Sequence, residues 1–233
     1  MRTPLTRIQK LIGQRMLTSK LTKPCFYIES RANVTELMAL RPKLSKSLGA
    51  KITSNAFLIR VLALAARQYP LMLGLRDNAA TSVTIAEAIN VGFPVHAPQG
   101  LMVPVIKNAD KKALAEIARL EKLLMDKARS NKLTLEEMQG QTIGLSNLGV
   151  YGIDSFLAIP ALVASAILAV GNVIRTVVPG PRLRGDKLAP AEAGVRKMMS
   201  LSLAVDRIIA DEVYAAQFLC FIVEQLQNPQ RLI

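Results

Sequence analysis

Residues Gly100–Ala118 read GLMVPVIKNADKKALAEIA. Leu101–Ile106 is short, apolar and rich in β-branched residues, which predicts a strand. The preceding His96-Ala97-Pro98-Gln99-Gly100 supplies a turn through Pro98 and Gly100. Val83–Val95 predicts the strand that leads into it. Downstream, Leu114, Ile117, Leu120 and Leu124 recur at spacings of three and four. That periodicity predicts an amphipathic helix over Ala113–Ser130, with Glu116, Arg119, Glu121 and Lys122 on its outer face. Strand, turn, strand and helix follow one another here without a linker.

The same mixture continues in both directions. Ile8, Leu11, Ile12, Met16 and Leu21 predict a helix over Thr6–Thr22. In CFYIESRANV, Cys25–Val34, Phe26, Ile28, Ser30, Ala32 and Val34 share one side, a period of two that predicts a strand. Thr35 is positioned to cap a helix running to Leu48, with Pro42 as its disturbance. FLIRVLALAARQY, within Asn55–Tyr69, is apolar nearly all round and predicts a helix buried on several sides, stopped by Pro70. Thr142–Leu148, Ser165–Val173 and Val195–Val205 predict strands. Arg175–Gly194, with PGPRLRGDKLAPAEAG, predicts an exposed hairpin loop. Asp211–Gln227 predicts a C-terminal helix. No linker rich in Pro, Gly and Ser divides the chain. The expected organisation is an N-terminal arm and first helix over residues 1–22 and one core domain over 23–233, of mixed α+β class.

Composition narrows the function classes. A chain of 233 residues that is 51% hydrophobic and 20% charged has enough apolar surface for one full core and is not a disordered chain. The longest apolar run, Ile159–Val170, is interrupted by Pro160 and Ser165 and is too short to span a bilayer. The N-terminal residues lack a secretory signal pattern. Cys25 and Cys220 form neither a disulfide framework nor a metal-ligand spacing, so a reducing interior is expected, cytoplasm or an organelle matrix. The net charge of +13 raises nucleic acid as a partner. With no Trp, 4% aromatic residues and no nucleic-acid motif, a basic surface meeting acidic proteins or anionic cofactors is the preferred reading.

Catalytic motifs are sparse. There is no GxGxxG, P-loop, GxSxG or HExxH. His96 is the only histidine, so any Ser-His-Asp assignment has to use it. Standing in a turn without a visible orienting partner, it reads as a surface residue. Cys25 and Cys220 read as small buried side chains.

The order of segments carries more. PLTRIQKLIGQRM, SNAFLIRVLALAARQYP, GLMVPVIKNADKKALAEIA, GQTIGLSNLGVYGID and AILAVG together resemble the catalytic domain of dihydrolipoamide acyltransferases, the core components of 2-oxo acid dehydrogenase complexes. The similarity runs from about Thr3 to the C-terminus, and GLMVPVIKNAD and SNLGVYG are its strongest pieces. It implies the fold of chloramphenicol acetyltransferase: a two-layer sandwich of a mixed sheet packed with helices. It also implies trimers with active sites between neighbouring subunits, and larger cubic or dodecahedral cores. Other subunits of the complex are then partners; a membrane is not. Coenzyme A and lipoamide are the implied substrates, and no cofactor is held covalently. The lipoyl and peripheral-subunit-binding domains of the family have no counterpart in these residues.

The resemblance places site residues and also shows departures. Ser146 matches the serine whose hydroxyl stabilises the oxyanion, although Ser146-Asn147-Leu148-Gly149 also reads as an ordinary strand end. Cys25 and Asn147 fall beside the substrate channel, with His96 as a further channel candidate. Arg182, Arg184 and Lys187 are candidates for coenzyme phosphates, or else a solvated face. The family's DHRxxDG motif falls at LAVDRIIADEVYAAQF, Leu203–Phe218. Without gaps, Asp206 and Asp211 match the two aspartates, Arg207 stands at the histidine and Glu212 at the glycine. With a deletion and an insertion, Asp206 and Arg207 match the Asp and Arg, the His is deleted and Ala210 is extra. Neither alignment supplies a histidine. The family's NPPQ is replaced by Ala161-Leu162-Val163-Ala164.

Arginine stays protonated and cannot act as a base. The expectation is therefore an acyltransferase-like core domain that serves assembly, with acyl transfer impaired or absent. The alternatives are an active acyltransferase using a non-histidine base, with Asp211 or Glu212 as speculative replacements, or a different thioester or acceptor, and, less favoured, a basic nucleic-acid-binding module.

Overall fold

The computed structural model describes residues 3–77, 81–178 and 193–233. Its helices are α1 (Arg7–Thr22), α2 (Thr35–Ser47), α3 (Ser54–Gln68), α4 (Leu114–Arg129) and α5 (Glu212–Gln227). The strands are β1 (Cys25–Asn33), β2 (Gly74–Arg76), β3 (Val83–Ile85), β4 (Val91–Gly92), β5 (Val95–Ala97), β6 (Gly100–Met102), β7 (Val105–Ile106), β8 (Ile143–Asn147), β9 (Ala166–Val178) and β10 (Gly194–Asp206). Six strands form the main sheet in the order β1-β10-β9-β8-β4-β7. The strand β8 runs parallel to both β9 and β4, and the other pairings are antiparallel. Two small hairpins, β2–β3 and β5–β6, stand outside it.

Alternation along the strands assigns the two faces of the sheet. Leu145, Ala166, Leu168, Val170, Leu201, Leu203 and Val205 join the hydrophobic core with α3, α4 and α5. The helix α3 is central: Phe57, Leu58, Ile59 and Leu62 are almost fully enclosed, as its all-round apolar sequence predicts. Burying each of these side chains is worth about 1.5–3 kcal/mol. Thr53 caps α3 by accepting from the Ala56 amide at 2.9 Å.

Several expectations shift in detail. Val83–Val95 is not one strand but parts of β3, β4 and β5, and Leu101–Ile106 is divided between β6 and β7. Pro94 and Pro104 lack the amide that a continuous ladder needs, so the chain changes partners at each. The HAPQG turn does close the β5–β6 hairpin, with His96 opposite Leu101 and Gly100 at φ 125°. Thr35 does not cap α2. Its hydroxyl donates to Asn33 Oδ1 at 2.7 Å and accepts from the Lys197 amide at 2.8 Å, tying α2 to β10. Pro42 sits inside α2 without ending it. The loop predicted over Arg175–Gly194 does not begin at Arg175, because β9 and β10 pair as far as Val178 and Gly194; residues 179–192 lie outside the described residues.

Two side chains lie on the side opposite to the one expected. Glu121 is 2% exposed, because Leu114, Ile117, Ala118, Glu121 and Leu124 form one stripe of α4. Its carboxylate accepts from Thr53 Oγ1 at 2.6 Å and Asn55 Nδ2 at 3.1 Å. Cys220, expected in the core, is exposed. The buried stripe of α5 runs through Ala215, Phe218, Leu219, Ile222 and Leu226, and the helical period carries position 220 to the outer side.

Candidate functional site

The sheet face turned away from the core helices carries two of the candidate site residues, Ser146 and Cys25. Cross-strand register places Glu29, Ser202, Ala169 and Ser146 in one row across β1, β10, β9 and β8. Ser202 Oγ donates to Glu29 Oε1 at 2.6 Å within that row. A second pair, Cys25 and Asp206, lies on the same face at the end of β10.

Ser146 is half-buried near the end of β8. Beyond it, the Asn147 side chain accepts from the Gly149 amide at 3.0 Å, and Leu148 N donates to Val170 O at 3.1 Å. These bonds turn the chain back across β9. The crossing is so close that a Cβ on Gly171 would collide with the Asp154 carbonyl. Asn172 N donates to Ile153 O at 2.7 Å at the same crossing. Glycine at 171 therefore meets a steric requirement.

The other part of the expected site is the Asp206–Asp211 turn. Asp206 is 1% exposed. Its carboxylate accepts from the Ile208 amide at 3.1 Å and lies 3.5 Å from Arg76 Nε, an ion-pair contact without hydrogen-bond geometry. Arg76 also donates through Nη2 to the Thr22 carbonyl. Asp211 is the N-cap of α5, accepting from the Tyr214 amide at 2.8 Å. Arg207 is half-exposed and pairs through Nε with Glu212 Oε1 at 2.9 Å. Glu212, considered as a substitute base, is thus engaged by the neighbouring Arg207 cation.

The structure does not bring Ser146 and Asp206 together within one chain. Ser146 is level with Ser202 through Ala169, and Asp206 lies four residues further along β10. At about 3.3 Å per residue and about 4.8 Å per strand spacing, the separation is on the order of 15 Å. His96 is exposed on the β5–β6 hairpin, outside the sheet that carries Ser146. Arg182, Arg184 and Lys187 lie outside the described residues. Among the described residues, no group of three or more His, Cys, Asp or Glu is placed to hold a metal ion. Nor is any helix among them long and apolar enough to cross a membrane.

Cys25 is half-buried rather than enclosed and borders a cavity of about 240 Å³ with Ser19, Lys23, Tyr27, Ile159 and Pro160. Burial pushes its thiol pKa up, Asp206 adds to the rise, and Lys23 and Lys20 oppose it. A thiol so placed is a weak nucleophile at neutral pH.

Lys23 had no part in the sequence reading. It is 7% exposed, and its ammonium donates to the carbonyls of Ala161 at 2.7 Å, Leu162 at 3.1 Å and Ala164 at 2.6 Å. Burial lowers its pKa, with Asp206 acting in the opposite direction. No local signal marks this lysine, because its partners are 138 to 141 residues away in the chain.

The family profile described as "2-oxoacid dehydrogenases acyltransferase (catalytic domain)" matches residues 1–233. The chain is 32% identical, over 99% of its length, to a dihydrolipoyllysine-residue acetyltransferase component of pyruvate dehydrogenase complex from Rickettsia bellii, of which it covers 53%. It spans about half the length of the curated relatives it matches. Two solved structures superpose with a TM-score of 0.89 at 28% identity, each covering 100% of this chain and 93% of theirs. One is the dihydrolipoamide acetyltransferase of Azotobacter vinelandii, studied for the catalytic roles of a serine, a histidine and an asparagine. The other is the cubic core of the pyruvate dehydrogenase multienzyme complex. Chloramphenicol acetyltransferase shares the fold at 12% identity and a TM-score of 0.51, covering 98% of this chain. The mixed-sheet sandwich and the family expected from the sequence are therefore both found: the chain belongs to the 2-oxoacid dehydrogenase acyltransferases, as a catalytic domain of that family.

Proposed function

We propose that this chain is the core domain of a dihydrolipoamide acyltransferase that assembles with copies of itself in a 2-oxo acid dehydrogenase complex, with acyl transfer between lipoamide and coenzyme A impaired or absent. The carrying observation is the Arg207–Glu212 ion pair immediately after Asp206. The histidine and asparagine studied in the Azotobacter relative are four positions apart, the separation of Arg207 and Asp211 here. In the gapless alignment this places Arg207 where the imidazole stands. A bacterial cytoplasm or a mitochondrial matrix is the compartment inferred.

In the transfer, a thiol sulfur attacks the thioester carbonyl. A new C–S bond forms, the attacking sulfur gives up its proton, and the tetrahedral oxyanion collapses with release of the other thiol. Ser146 is the proposed oxyanion donor, a role worth about 3–4 kcal/mol. Proton removal is the missing element. Histidine serves because its pKa lies near the operating pH. The guanidinium of Arg207 is always charged and cannot take a proton. Dihydrolipoamide must then attack as the small fraction already ionised, its thiols having a pKa of about 8.5 or higher.

Self-assembly is supported by two further observations. The 150–163 segment exposes Val150, Tyr151, Leu157 and Val163, and α1 exposes Ile8, Leu11, Leu17 and Leu21. Ser146 and Asp206 stand far apart in one chain, so a joint site requires a second copy.

The pH dependence of residual transfer from acetyl-CoA to dihydrolipoamide tests the reading. Without a base, the rate climbs about tenfold per pH unit up to the thiol pKa, about 8.5 or above. A rate that levels off near pH 7 reveals a working base and overturns the proposal.

A further inference from the structure

We propose that Lys23 is a positioning residue for the thiol substrate: its ammonium pins the 161–164 turn and so holds the adjoining Ile159 and Pro160 in the wall of the cavity that Cys25 borders. The inference rests on the acyltransferase reading above and assigns a role to a side chain outside the expected motifs.

Three observations meet at this lysine. The turn Ala161-Leu162-Val163-Ala164 contains neither proline nor glycine, and its internal bond is Ala164 N to Ala161 O at 3.1 Å. Backbone stiffness therefore has to come from elsewhere. It comes from one ammonium, whose three donors go to three of the four carbonyls in the turn, at 2.6 to 3.1 Å. Bonds from a charged donor are stronger than neutral ones. Second, the neighbouring residue is held in the same way: Ser19 Oγ, also buried, donates to Pro160 O at 2.6 Å. The junction of α1 and β1 thus grips the turn from residue 160 to residue 164. Third, the turn runs straight into the expected site, because Ser165 O accepts from the Asp206 amide at 2.9 Å. Displacing the turn moves Ile159 and Pro160 in the cavity wall and loosens the backbone partner of Asp206. Lys23 is no candidate base: its donors are all engaged by carbonyls that can only accept.

The test compares Lys23→Ala with the unaltered protein in acetyl transfer from acetyl-CoA to dihydrolipoamide, with amide hydrogen exchange measured in parallel. Lys23→Ala is expected to raise the KM for dihydrolipoamide about tenfold or more, the scale of one lost charge-assisted hydrogen bond. The kcat should stay within about twofold, because Lys23 touches no reacting atom. Exchange at Ala164 and Asp206 should accelerate. Added propylammonium, which replaces the deleted atoms and charge, should restore KM, and 1-propanol should not.

Faster exchange with an unchanged KM overturns the proposal and leaves Lys23 as a structural residue. Equal rescue by 1-propanol overturns the role of the charge, and with it the proposal. An unaltered protein without saturable transfer overturns the positioning role of Lys23 and leaves the assembly reading above in place. Should Lys23→Ala not fold, Ser19→Ala carries the test: a smaller rise in KM is expected, and none overturns the proposal.

Discussion

Arg207 and Glu121 are both charged residues whose surroundings, rather than whose type, decide what they do. Arg207 is tied to Glu212 at the surface, where such a pair contributes about 0–1 kcal/mol. Little stability is at stake in replacing it. Arg207→His should raise acetyl transfer at pH 7 by about 10²-fold or more, within the usual range for an added general base. The melting temperature should move little. Stopped time courses on the two proteins decide the matter. Glu121 is the opposite case. Burial raises its pKa above the ordinary carboxylate range, with the Thr53 and Asn55 side chains opposing. The folded protein therefore keeps this proton where the unfolded chain has released it. The associated stability is complete below about pH 4.3, the unfolded glutamate value, and declines as pH climbs through the raised folded value. Relative to Glu121→Gln, the unaltered protein should lose stability as pH rises above about 4.3, the unfolded glutamate value, in urea titrations. A constant difference above that pH would contradict a buried, proton-holding Glu121.

At the scale of elements, the crossing of the 150–160 segment over β9 depends on Gly171. Gly171→Ala should destabilise by about 1–3 kcal/mol through overpacking against the Asp154 carbonyl, measurable as a lower urea midpoint. Elements governed by periodicity were legible in the sequence. The helix α1 begins where Thr6 and Gln9 form a reciprocal cap, with bonds of 3.1 and 2.9 Å, and β1 follows the alternation of Phe26, Ile28 and Ala32. Chain breaks at Pro94 and Pro104 were written in the sequence too, but which partner each fragment finds is a tertiary matter. Glu121 was placed outward on its chemistry although its spacing put it in the buried stripe. At the site, the absence of histidine could be read directly from Asp206–Asp211. The grip of Lys23 on the 161–164 turn could not, since side chain and carbonyls meet only after the sheet has formed.

For the whole molecule, the decisive geometry is the distance between Ser146 and Asp206. Ser146 and the turn that starts at Asp206 are separated by two strand spacings and four positions, so on the proposed reading one copy does not bring them to the same thioester. The exposed apolar side chains of α1 and of the 150–163 segment are where a second copy is expected. Tyr151 is 66% exposed in one copy. Tyr151→Asp should therefore shift the protein toward monomer in sedimentation velocity, while the unaltered chain sediments as an oligomer. A monomeric unaltered chain would contradict the assembly proposed here. The charge of +13 gives the assembled surface a strong attraction for anionic partners, weakened by salt.

Proton removal is the step on which the account turns, and turnover reports it most directly. Acetyl transfer from acetyl-CoA to dihydrolipoamide, followed at pH 7 beside the histidine-bearing Azotobacter vinelandii relative, should run about 10²–10⁴-fold slower in this protein. A rate within a few-fold of that relative would contradict the account.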